Sequence, residues 1–242
     1  CSSARWFRGL HLHANRYAQY FLKIQNDNYL SKRLYILSGL GADEQVFQRL
    51  DFSGFATTFI KWKTPHENES IEQYAKRLLD QITTIKPTII GLSFGGIIAI
   101  EIAKQIETEK VILISSAKTK FEIPFYFRFI GLLRIHRLFP TTVLKSSNFL
   151  TNYFFGAKTH FERQLLKQIL KDTDSVFLKW AIEKITRWTN QSEINNLFHI
   201  HGAHDRILPN IFIKSNLTIK NGGHLMILSE SEQMNIILKA QL

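Results

Sequence analysis

The stretch Gly91-Leu92-Ser93-Phe94-Gly95-Gly96 constrains this chain more than any other. The β-branched run Thr88-Ile89-Ile90 precedes it. Ile97-Ile98-Ala99-Ile100-Glu101-Ile102-Ala103 follows as an apolar segment suited to a buried helix. The order is strand, sharp turn, helix. Glycines flanking a serine in such a turn leave the backbone room to tighten and lift the hydroxyl clear of the sheet. Ser93 is therefore the candidate nucleophile. An ordinary glycine-rich strand-to-helix turn has the same spacing, so the reading depends on partners elsewhere in the chain.

A serine hydroxyl is a poor nucleophile until a base takes its proton, and a neutral imidazole suits that task near pH 7. Leu197-Phe198-His199-Ile200-His201 reads as a strand and leads through Gly202-Ala203-His204 to Asp205. Leu217-Thr218-Ile219-Lys220 leads through Asn221-Gly222-Gly223 to His224. Serine, acid and histidine thus follow one another, each on a loop after a strand. Asp205 has a competing reading as a loop-capping residue, with Glu193 as the acid. His199, His201 and His204 lie at spacings that suggest a metal, but His199 and His201 share one face of a short strand and no further ligand cluster accompanies them. No metal and no organic cofactor is expected.

Together GLSFGG, HGAHDRILP and NGGH resemble the α/β-hydrolase fold superfamily, over residues from about 33 to the C-terminus. The resemblance implies a triad of Ser93, Asp205 and His224. It also implies an oxyanion hole from the backbone N–H groups of Leu40, after the first strand, and Phe94. Many relatives begin the first of these loops with His-Gly; here Ser38 replaces the histidine. The activity implied is a serine hydrolase (EC 3.1, carboxylesterase or thioesterase) that cleaves a small-molecule carboxylic ester or thioester through an acyl-enzyme on Ser93. Serine at the elbow argues against the alkyl-enzyme chemistry of relatives that carry aspartate there. The same triad also serves lyases, carbon–carbon bond hydrolases and ligand- or partner-binding proteins of this fold.

The rest of the chain predicts an α/β fold with a mostly parallel sheet, helices on both faces and an inserted helical cap. Strands are expected at Arg33–Leu37, Phe55–Trp62, Thr88–Leu92, Lys110–Ser115, Leu197–Ile200 and Asn216–Lys220. Helices are expected near Asp43 to Leu50, from the Ser70/Gln73 capping box to about Ile85, from Phe94 to about Ile106, and from Ser229 to Leu242. Between 117 and 192 the alternation stops and only helical stretches remain. We therefore expect a core of 33–116 and 193–242, a cap of 117–192 and an N-terminal extension of 1–32.

The cap begins with a run from Phe121 to Phe139 crowded with aromatic and aliphatic residues, which Arg128, Arg134 and Arg137 interrupt, so it is no membrane span. Such a surface could roof an acyl pocket, lie on a membrane, or simply pack the cap onto the core. Residues 117–192 hold thirteen Lys or Arg and five Asp or Glu, a surplus of eight against a whole-chain surplus of eleven. That bias would favour an anionic acyl donor or an acidic carrier protein, or it reflects solvated helix faces. No nucleic-acid motif is present. The single cysteine, Cys1, excludes an intrachain disulfide framework and suits the cytoplasm. Cys1 before Ser2-Ser3 has an alternative reading as a lipid-anchored end, and the missing methionine also fits an incomplete start.

Overall fold

Strands β1 (Arg33–Leu37), β2 (Ala56–Phe59), β3 (Thr88–Leu92), β4 (Lys110–Ile114), β5 (Leu197–Gly202) and β6 (Leu217–Ile219) form one six-stranded sheet in the order β2-β1-β3-β4-β5-β6. Every pairing is parallel. This computed structural model describes residues 33–134 and 140–242. The expected extension 1–32 with Cys1, and Ile135, Arg137, Leu138 and Phe139 of the aromatic run, lie outside the described residues.

Side chains alternate across the sheet, and each face has its own core. Tyr35, Leu37, Ile89, Val111 and Leu113 meet α1 (Ile71–Leu78), α2 (Phe94–Ala103) and α7 (Ser175–Thr186). Leu34, Ile36, Ile90, Ile112 and Ile200 face the other way, toward α8 (Met226–Ser229), α9 (Ser231–Gln241) and the 3-10 turn Glu44–Phe47. Burial on both faces explains why the central strands read as unbroken apolar runs. Helix α2 is apolar all round because it is buried all round, Glu101 included. The Glu101 carboxylate accepts hydrogen bonds from the Trp188 indole N–H (2.7 Å) and the Lys104 ammonium (2.8 Å).

Between β4 and β5 the described residues contain no strand. They hold α3 (Phe125–Leu132), α4 (Thr141–Leu144), α5 (Phe149–Phe155), α6 (His160–Asp172) and α7. No helix among the described residues is long and apolar enough to cross a membrane. Several helices are shorter than the sequence predicts. The capping box of Ser70 and Gln73 starts α1 as expected, but the helix ends at Leu78 and passes into a 3-10 turn, Leu79–Gln81. The backbone N–H groups of Thr83 and Thr84 then donate to the Tyr35 hydroxyl (3.0 and 3.1 Å), which removes them from any continued helix.

The turn between β3 and α2 depends on its glycines. A Cβ on Gly95 would collide with the carbonyl oxygens of Leu37 and Ser38, and one on Gly91 would lie 2.5 Å from the Cα of Gly96. Both obstacles are backbone, which has little room to retreat. Gly39 differs, since its Cβ would meet nothing nearer than the Ser93 Cβ at 3.6 Å. Gly95→Ala is therefore expected to lose about 3 kcal/mol or more in urea unfolding, and Gly39→Ala about 1 kcal/mol or less.

Candidate active site

Ser93 sits at the junction of β3 and α2 with φ 51° and ψ −119°, a conformation L-residues rarely adopt. Its neighbours hold it there. The Ser93 N–H donates to the Ile114 carbonyl (2.9 Å), and the Ser93 carbonyl accepts from the Ser116 hydroxyl (2.7 Å) and the Gly96 N–H (2.9 Å). The side chain is thereby aimed outward at the end of the sheet, where the loops after β5 and β6 arrive.

Those loops bring the two expected partners. His224 Nε2 lies 2.9 Å from Ser93 Oγ, and His224 Nδ1 lies 2.8 Å from Oδ2 of Asp205. A carboxylate can only accept, so Nδ1 carries the proton and Nε2 is free to accept from the serine hydroxyl. The other Asp205 oxygen, Oδ1, accepts the N–H groups of Ile207 and Leu208, both at 2.9 Å. Burial favours the neutral acid, but the charge and hydrogen bond of His224, followed by His201 and the Leu208 N–H, outweigh it and hold the Asp205 carboxyl below its usual range. Glu193 is elsewhere: its side chain is exposed and paired with Lys118 at 3.2 Å.

The loop after β1 runs beside the elbow. Ser38 donates its hydroxyl to the Ala42 carbonyl and accepts from the Trp62 indole N–H (3.2 Å). Ala42 N–H closes the turn onto the Gly39 carbonyl at 3.1 Å. Among the described residues, neither the Leu40 nor the Phe94 N–H is engaged by another protein group. Behind this loop Trp62, Phe94, Phe177 and Trp180 form a cluster with ring centroids 5.4–6.1 Å apart.

The structure adds residues that the sequence reading does not single out. Phe155, at the end of α5, sets its ring edge-on against the His224 imidazole at 5.6 Å. Arg206, next to the acid, donates to the Tyr153 carbonyl (2.9 Å) with its guanidinium over the Tyr153 ring. Tyr126 of α3 is near enough that, after burial, the Asp205 charge raises its phenol pKa. Ser116 carried one usable signal, its position just past the strand beside the elbow. The aromatic contacts carried none, because they join segments far apart in the chain.

His199 and His201 are fully buried, their rings 5.6 Å apart. His201 Nε2–H donates to the Leu208 carbonyl (2.8 Å), bracing the turn that holds Asp205. Neither ring nitrogen of His199 makes a hydrogen bond of normal geometry, and its Nδ1 is 4.0 Å from the buried Glu122. Among the described residues no group of three or more His, Cys, Asp or Glu side chains could hold a metal ion.

No family model matches the sequence, and neither does any curated protein. Solved structures do match. An esterase from Thermogutta terrifontis superposes with a TM-score of 0.65 at 14% identity, covering 87% of this chain and 89% of its own. The carboxylesterase structure from Nitrososphaera gargenis gives 0.63 at 20% identity, with 88% and 90% covered. The meta-cleavage product hydrolase of Pseudomonas fluorescens gives 0.61 at 15% identity, with 88% and 90% covered. The chain therefore has the α/β-hydrolase fold.

Burial holds the His199 pKa down at about 3, with the His201 and Lys118 charges acting in the same direction. Between that value and the ordinary 6.5, the unfolded chain binds a proton that the folded one does not. Stability falls as pH drops through this window, by up to about 5 kcal/mol. Glu122, raised by burial, opposes the loss above its ordinary value. His199→Leu is expected to flatten the urea-unfolding profile between pH 6.5 and 4 and to change stability at pH 7 by about 1 kcal/mol or less.

Proposed function

We propose that this protein is a serine hydrolase that cleaves a carboxylic ester or thioester through an acyl-enzyme on Ser93. The observation that carries the reading is the continuous relay from Ser93 Oγ to His224 Nε2 (2.9 Å) and from His224 Nδ1 to Asp205 Oδ2 (2.8 Å). His224 takes the hydroxyl proton as Oγ attacks the acyl carbon. Asp205 offsets the imidazolium charge, and the N–H groups of Leu40 and Phe94 receive the oxyanion. Phe94 opens α2, so the positive end of that helix's dipole also faces the developing charge. Collapse of the tetrahedral intermediate expels the alcohol or thiol, protonated by His224. Water, deprotonated by the same imidazole, then releases the acid and regenerates Ser93.

The esterases of like fold support the ester reading. The meta-cleavage product hydrolase keeps a second reading in play, hydrolysis of a carbon–carbon bond by the same three residues. The helices between β4 and β5 act in either case as a cap, reaching the site through Phe155.

Hydrolysis of p-nitrophenyl esters of graded acyl length, together with one acyl thioester, tests the proposal. Ser93→Ala is expected to lower kcat at least about a thousandfold and Asp205→Asn by about the same or more, with Glu193→Gln within about twofold of the parent. Full activity in Ser93→Ala would refute the assignment. Absence of turnover on every ester and thioester would refute the acyl-hydrolase reading.

A further inference from the structure

Helices α3 and α5 expose large apolar side chains instead of burying them. Phe125, Phe129 and Leu132 on α3 and Phe149, Leu150 and Phe154 on α5 all face solvent, Phe149 at 80% exposure. Single exposed apolar residues need no explanation, but two helices that pack on one loop and both turn this way do. They flank one loop. Phe125 and Tyr126 pack on Phe212 at its far end, while Arg206, at its start, holds Tyr153. The apolar surface therefore runs along both sides of the loop that carries Asp205. It ends at Phe155, which touches His224.

The charge of the same region is one-sided. From Ile123 to Phe161 the sequence contains no Asp or Glu, while Arg128, Arg134, Arg137, Lys145 and Lys158 all fall within it. Beside α4, Lys145 of this region and Lys167 and Lys171 of α6 line an open cleft with hydroxyl residues Thr141, Thr142, Ser147 and Ser175. None of these lysines has an ion-pair partner among the described residues. The nearest acids in sequence, Asp172 and Asp174, accept from the Gln168 amide and the Phe177 N–H and form no ion pair with these lysines among the described residues. Three unpaired cations and four hydroxyls in one cleft suit phosphate oxygens.

We propose that the apolar surface of α3 and α5, with the lysine cleft beside α4 that adjoins the start of α5 at Ser147, docks on a bilayer containing anionic phospholipid. The exposed aromatic and aliphatic side chains enter the region between headgroups and acyl chains, and the lysine cleft takes headgroup phosphate. A neutral apolar partner would leave the cations unused, and a purely polar acidic one would leave the apolar side chains wet; an anionic lipid surface answers both. The site loop lies in the docked face, which would present Ser93 to acyl chains at the interface. This inference concerns the surface and stands apart from the chemistry at Ser93.

Cosedimentation of the full chain with phosphatidylcholine vesicles, with and without phosphatidylglycerol, tests it. Binding is expected to be at least about tenfold tighter to the anionic vesicles and to weaken with salt. Lys145→Glu and Lys167→Glu should each cost about fivefold or more on anionic vesicles. Phe125→Glu with Phe149→Glu should abolish binding to both kinds of vesicle. These positions are exposed, so an unchanged circular dichroism spectrum is expected, and Ser93→Ala should bind as the parent does. Equal binding to neutral and anionic vesicles would overturn the proposal, as would no binding at all. So would binding that survives the Phe125→Glu, Phe149→Glu change, which would locate it elsewhere in the chain. A dimer in light scattering that the same double change dissociates would also overturn it, by assigning the face to a second copy.

Discussion

The structure depends on one strained residue. Ser93 at φ 51° and ψ −119° occupies a conformation that costs on the order of 1–3 kcal/mol, and the fold must hold it there. Three hydrogen bonds from β4, Ser116 and α2 do so, and they require the helix and the first loop to approach the elbow backbone closely. That approach is possible only because Gly91 and Gly95 lack a Cβ. The strain, the glycines and the apolar helix are thus parts of one solution, and its product is a serine hydroxyl fixed at the end of the sheet.

What was legible in the sequence follows from which constraints are local. Gly91, Ser93 and Gly95 carry theirs within five positions, so the elbow could be read directly. Asp205 and His224 could be found because parallel strands deliver their C-terminal loops to one end of the sheet, whatever the intervening sequence. The structure brings both within hydrogen-bond distance of the chain of atoms that starts at Ser93, whereas Glu193 is exposed and paired with Lys118. Helix ends were less legible. α1 stops where Thr83 and Thr84 meet Tyr35, a contact across more than forty residues that no local propensity encodes. Phe155 against His224 was invisible for the same reason.

The buried histidines behind the triad show the same dependence on tertiary context. Their alternating positions on β5 suggested a shared face, and that face points into the protein. There His201 braces the Asp205 turn through Leu208, while His199 is held neutral by burial. Ser38 is a comparable case. Its hydroxyl links the Trp62 indole to the Ala42 carbonyl and helps to close the first loop.

The most direct measurement of the central claim is peptide mass mapping after treatment with an alkyl fluorophosphonate, which reacts only with a serine activated by a neighbouring base. The account predicts one adduct, on Ser93, formed by the parent and lost at least about a hundredfold in rate in His224→Ala. An adduct on another serine, or labelling of Ser93 at the same rate without His224, would contradict it.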